Sequence, residues 1–187
     1  MIPLLLVVVA ALPPVPAPSV VTPDEEARLA AREIILRSAS EATDNKFMVL
    51  LDVQASIEKT IAATVDLPPR TVEVTGIKAI DIYEQSPGRV SGRFVTGRYG
   101  YTATFSTTYE YDLSRGWCVF HLDPTAENSV QFVDGSYHAY DIGGRTRLVY
   151  SGWDDIAGWL PDWVRTRLLT GTAIEMFEGI RSRAERG

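Results

Sequence analysis

The sequence predicts one α+β domain in which a curved antiparallel sheet wraps around a long C-terminal helix. Three observations predict it. Alternation of apolar and polar residues at the period of a strand fills most of 72–153, with short turns between the segments. A single short stretch of helical period, Ile57–Val65, interrupts the strands early. The final stretch, 161–185, is amphipathic at helical period and must bury one face against something large. The only large partner the chain offers is the sheet.

The elements follow in order. Thr22 before Pro23-Asp24-Glu25 is a helix start: a residue that can cap, proline in the first turn, acids at the positive end of the dipole. This helix is expected to reach about Ala31, and a strand is expected at 33–38 around Ile34 and Ile35. The polar stretch 41–46 reads as a turn. Phe47, Val49, Leu51, Val53 and Ala55 then alternate as a half-buried strand. Ile57, Ile61 and Val65 recur every four residues, and Pro68-Pro69 stops that helix. The stretch 72–83 reads as the next strand, Pro87-Gly88 as a turn and 89–98 as its return. Tyr101, Ala103, Phe105, Thr107, Tyr109 and Tyr111 give the cleanest alternation in the chain. A turn at Ser114-Arg115-Gly116 leads to a strand at 117–122, and further strands are expected at 130–141 and 145–153, joined by Gly143-Gly144. In the last helix Trp163, Leu169, Ala173, Met176, Phe177, Ile180 and Ala184 gather on one stripe. A long helix across a twisted, concave sheet leaves a gap that side chains or a ligand can fill.

The chain begins with an unbroken apolar run at 2–12. It is shorter than the ~20 residues a bilayer span needs, and matches the apolar core of a secretory signal, with Ala10, Ala11 and Ala17 as small residues near a cleavage point. No lysine or arginine precedes it. The expected organisation is therefore a signal peptide at 1–19, a proline-rich linker and short helix at 20–32, and the folded domain at 33–187, with an exported product, periplasmic or extracellular. The net charge of −6 argues against a nucleic-acid partner, which calls for a basic face.

The local residues resemble those of the START-like (SRPBCC) superfamily, in particular its polyketide cyclase/dehydrase and lipid-transport members and its coenzyme Q-binding members. Val53-Gln54-Ala55-Ser56 running into Ile57-Glu58 resembles their passage from strand to first helix, and Asp66 with the following prolines resembles that helix's exit. Gly135-Ser136-Tyr137 and then Arg145-Thr146-Arg147-Leu148-Val149-Tyr150 resemble their paired penultimate strands. Leu160-Pro161-Asp162-Trp163 resembles the start of their last helix. The chain departs from the family at Ile61, where an aromatic is common, and in a short connection at 67–72. The resemblance implies a helix-grip fold and a hydrophobic ligand, a lipid, isoprenoid or polyketide-like molecule, held under the last helix. The expected ligand-binding residues are Phe105, Tyr109, Tyr111, Tyr137, Tyr150, Trp163, Leu169, Ala173, Met176, Phe177 and Ile180. Apolar pockets of this kind carry a few polar groups that orient the ligand, here tyrosine hydroxyls.

No nucleophile elbow, phosphate loop, dinucleotide fingerprint or metal-ligand spacing is present, so no cofactor or metal is expected. Cys118, the only cysteine, lies in an apolar run and reads as a buried thiol. His121 and His138 are the available general bases, and Arg93 and Arg98 are candidates for an anionic ligand head if they face inward. Three functions fit. The first is a binding or transfer protein for a hydrophobic ligand, the second a cyclase or dehydratase-type enzyme using the same cavity, and the third a ligand-free interaction domain. Trp153, Trp159 and Trp163 flank the loop 152–160, and suit a transient membrane contact if that loop opens.

Overall fold

The computed structural model of the chain describes residues 20–38, 46–98, 100–154 and 162–186. The expected signal peptide at 1–19 and the loop residues Trp159 and Pro161 lie outside them. In chain order the elements are α1 (Pro23–Ala30), β1 (Ile35–Ser38), β2 (Lys46–Val53), α2 (Ile57–Val65), α3 (Arg70–Glu73), β3 (Ile77–Ser86), β4 (Arg89–Arg98), β5 (Tyr101–Asp112), β6 (Trp117–Leu122), β7 (Val133–Asp141), β8 (Thr146–Asp154) and α4 (Asp162–Arg186). The eight strands form one curved, open sheet in the order β1-β2-β8-β7-β6-β5-β4-β3. Every pairing is antiparallel. From β3 to β8 the sheet is a meander of sequence neighbours, and the N-terminal β1-β2 pair docks on β8.

The short elements have local causes. Thr22 and Glu25 cap α1 reciprocally, the threonine hydroxyl accepting from the Glu25 amide and the glutamate accepting from the Thr22 amide. The Ser56 side chain caps α2 by accepting from the Lys59 amide. The expected strand over 72–83 is corrected in its first half. Pro68 and Pro69 stop α2, and their carbonyls accept from the amides of Thr71, Val72 and Glu73 to wind α3. Val72 is left 88% exposed, and β3 starts only at Ile77. The strand expected over 130–141 likewise starts later, at Val133.

Period-two alternation puts one set of side chains on the inner face, against α2 and α4. Val49, Leu51, Val53, Phe94, Phe105, Tyr109, Phe120, Tyr137, Leu148 and Tyr150 join Ile61, Leu67, Ala173, Phe177 and Ile180 in the main core. The 48–51 run is apolar on both faces because a second, smaller core lies outside the sheet. There Leu29 of α1 packs with Ile35, Leu50 and Val149. Beside it Arg147 bonds Asp52 at 2.8 Å and Glu26 of α1 at 2.7 Å, tying the helix to β2 and β8.

Candidate functional site

The inner face carries a row of aromatic rings that crosses the sheet and ends on the last helix. Tyr109 of β5 stacks on Phe120 of β6 at 5.2 Å between centroids. Phe120 meets Tyr137 of β7 at 5.8 Å and Tyr150 of β8 at 6.1 Å. Tyr137 and Tyr150 lie 4.9 Å apart, and Phe177 of α4 presents its edge to Tyr150 at 5.2 Å. A second pair, Phe94 and Phe105, stacks in parallel at 5.3 Å on the β4-β5 side.

Two glycines make room for the row. Gly135 and Gly152 are cross-strand partners on β7 and β8, facing the same side as Phe120 and Tyr150. A Cβ on Gly135 would stand 2.5 Å from Phe120 Cζ, and one on Gly152 would stand 1.9 Å from the Tyr150 hydroxyl. The Phe120 and Tyr150 rings lie flat over backbone where any side chain would exclude them.

One end of the row is polar. Arg70, from the turn of helix after the proline pair, reaches inward and is only 3% exposed. Its Nη1 donates to the Tyr109 hydroxyl at 3.4 Å, and its Nη2 donates to the Thr64 carbonyl at the end of α2. Its guanidinium carbon lies 5.7 Å from the centre of the Tyr109 ring, within the range of a cation–π contact. Its Nε has no hydrogen-bond partner. On the same face of β5, one inward position from Tyr109, the buried Thr107 hydroxyl also lacks a partner. Burial pushes the Cys118 thiol up to about 12, against the opposing pull of Arg70. Burial likewise pushes the Tyr137 hydroxyl up, again opposed by Arg70. Both neighbours are therefore uncharged at neutral pH and do not neutralise the guanidinium.

The expected site residues fall as follows. Phe105, Tyr109, Tyr137, Tyr150, Ala173, Phe177 and Ile180 are buried together in the main core, and Tyr111 and Met176 pack at its margin. Trp163 and Leu169 belong to α4, but their side chains lie outside the described residues. His121 and His138 alternate with the inward-facing Cys118, Phe120 and Tyr137, so both stand on the outer face, away from the row. Burial pushes the His138 ring below the usual histidine range. Arg93 is exposed on the outer face of β4, and the Arg98 side chain lies outside the described residues. Trp153 stands on the outer face of β8 with its ring 4.2 Å from that of Phe132. Arg70, Phe120, Thr107 and the two glycines were not among the expected residues. Phe120 was legible from the alternation Cys118, Phe120, Leu122, whereas an arginine after two prolines reads as solvated.

An open groove of about 510 Å³ lies at the start of α2, bordered by Ser56, Glu58, Asp141 and Arg145. It opens on water and does not reach the aromatic row. Among the described residues, no cluster of three or more histidine, cysteine or acidic side chains is placed to hold a metal ion. No helix among them is long and apolar enough to cross a membrane.

No family model matches the chain, and no curated protein matches it. Solved structures do match. The ZhuI aromatase/cyclase from Streptomyces sp. R1128 superposes with a TM-score of 0.61 at 17% identity, over 81% of this chain and 95% of that one. The STAR-related lipid transfer protein of Xanthomonas axonopodis gives 0.60 at 10% identity, over 80% and 90%. Human StAR-related lipid transfer protein 5 gives 0.59 at 12% identity, over 82% and 81%.

Proposed function

We propose, from the START-like helix-grip fold that these superpositions establish, that the chain is an exported binding or transfer protein for a hydrophobic ligand. The observation that carries the reading is the aromatic row between sheet and last helix, closed at one end by a buried polar group. Apolar ligand surface laid against such a row leaves water at a gain of about 25 cal/mol per Å², while the polar end orients the molecule. The solved neighbours are named for lipid transfer and for aromatase/cyclase activity, and this fold serves both. The outward placement of both histidines favours binding over acid–base chemistry, because neither imidazole reaches the inner face. The apolar run at 2–12 supports export, with the signal peptide at 1–19, the linker and short helix at 20–32 and the folded domain at 33–187.

Native mass spectrometry and lipid extraction on protein from its own exported fraction test both halves of this proposal. A stoichiometric apolar adduct on a chain lacking its leader is expected. A clean apo mass, with no response to a panel of lipids, would sink the carrier reading, and recovery only from the cytoplasmic fraction would sink export. Ala173→Trp, which fills space on the inner face of α4, should lower ligand occupancy at least ~10-fold, the scale expected when a bulky ring displaces ligand contacts. Circular dichroism would show that the fold is kept.

A further inference from the structure

We infer that Arg70 anchors the acidic head of the ligand, and that the ligand class is hydrophobic monocarboxylic acids. This rests on the container reading above and narrows it.

This chain answers its other buried or largely buried arginines with carboxylates. Arg147 is answered by Asp52 and Glu26, Arg181 by Glu178, and Arg183 by Glu73 with Asp66 at 3.6 Å. That is the general rule, since a buried charge without a counter-charge carries a large desolvation cost. Arg70 is as deeply buried as any of them, and among the described residues no carboxylate is paired with it. Its polar partners are the Tyr109 hydroxyl at the long end of hydrogen-bond distance, the Tyr137 hydroxyl and one backbone carbonyl. Among the described residues, then, the counter-charge that a buried guanidinium calls for is missing.

The geometry of the guanidinium selects the anion. The free Nε and its neighbouring Nη hydrogens form the planar fork that matches the two oxygens of a carboxylate. The Thr107 hydroxyl, unpartnered on the same inner face, adds a group that can donate to an oxygen. Among the described residues, the groups that act on Arg70 are Tyr137, Tyr109 and Cys118, with the aromatic rings beyond, and none is a carboxylate. Tyr109 and Tyr137 both belong to the row that ends at Phe177. An acid with its head on Arg70 therefore lays its hydrocarbon body against that row.

The test compares palmitate with hexadecanol, which has the same chain length and no charge, on the full protein by titration calorimetry. Wild type should bind palmitate at least ~10-fold more tightly than hexadecanol, and Arg70→Met should weaken palmitate roughly 10- to 100-fold, the range of a charged hydrogen bond. Hexadecanol affinity should stay unchanged in that variant. Equal binding of the two probes, with no effect of R70M, would overturn the acid anchor and leave the container reading standing. Failure of wild type to bind either probe, together with a clean apo mass, would overturn the container reading and this inference with it. A second measurement needs no variant: carboxyl-¹³C palmitate bound to wild type should titrate below its value in water. A carboxyl that titrates at or above that value would overturn the anchor.

Discussion

Gly135 and Gly152 show how much of the interior depends on the smallest side chains. Each leaves bare backbone under a ring that is itself hemmed in, Phe120 by Tyr109 and Tyr137, and Tyr150 by Phe47 at 5.2 Å and by Phe177. The methyl of Gly135→Ala would also stand 2.6 Å from the Ser151 carbonyl, which is backbone and cannot swing aside. Overpacking of this kind costs about 1–3 kcal/mol. Urea unfolding of Gly135→Ala should show that loss in midpoint without a change in slope. A midpoint equal to wild type would show that the Phe120 ring gives way to the methyl. Gly179 plays a similar part on α4, where a Cβ would stand 2.4 Å from the Glu73 carboxylate of α3.

At the scale of the element, α1 is held by charge on one side and by Leu29 on the other. The Arg37 guanidinium bonded to Glu25 holds that carboxyl down at about 2, with help from the Thr22 amide. Arg147 holds Glu26 below the ordinary range, and Arg32 of the following turn does the same to Glu185 on α4. Each is a carboxyl whose folded pKa lies below its unfolded one. Their contribution is therefore complete above the unfolded value of 4.5 and is lost as pH falls through the folded values, about 2 for Glu25. Thermal unfolding across acidic pH should show a plateau above roughly pH 5 and a decline below it. Glu25→Gln, which can still serve the capping box, should flatten that decline. An unchanged profile would place the acid sensitivity elsewhere. Arg183 works similarly on the opposite face, binding Glu73 of α3 and donating to the Ala63 carbonyl of α2 at 2.7 Å, so that α4 is fixed to the two helices between β2 and β3.

For the whole molecule, the two cores share one sheet, so the proposed ligand inside and α1 outside draw on the same strands. A ligand that binds only the folded state at 100 times its Kd stabilises it by about 2.7 kcal/mol. For a domain of this size that raises Tm by roughly 5–11 °C. Differential scanning fluorimetry with palmitate should show such a rise in wild type and a much smaller one in R70M. A rise of equal size in both would show that the acid binds without Arg70.

Local periodicity in the sequence places most of the strands and helices of this chain, and the buried face of the strands around Val49 and Phe105. Tyr101–Asp112, Arg89–Arg98, Trp117–Leu122 and Ile57–Val65 all occur with the bounds their periodicity predicts, because alternation and four-residue recurrence are local properties of a chain that must hide one side of each element. Phe105 and Tyr109 were legible for the same reason, and Tyr137 and Tyr150 through the family resemblance. Three things were decided only in three dimensions. The apolar run Met48–Leu51 gives no hint that α1 covers its second face, since that contact joins elements distant in the chain. The winding of α3 out of an expected strand depends on carbonyls freed by two prolines and on Arg70 finding room beneath α2. The meaning of Arg70 itself is tertiary. A charged residue declares in sequence only that it prefers water, and only the packing of β5, β6 and β7 around it shows that this one was given none.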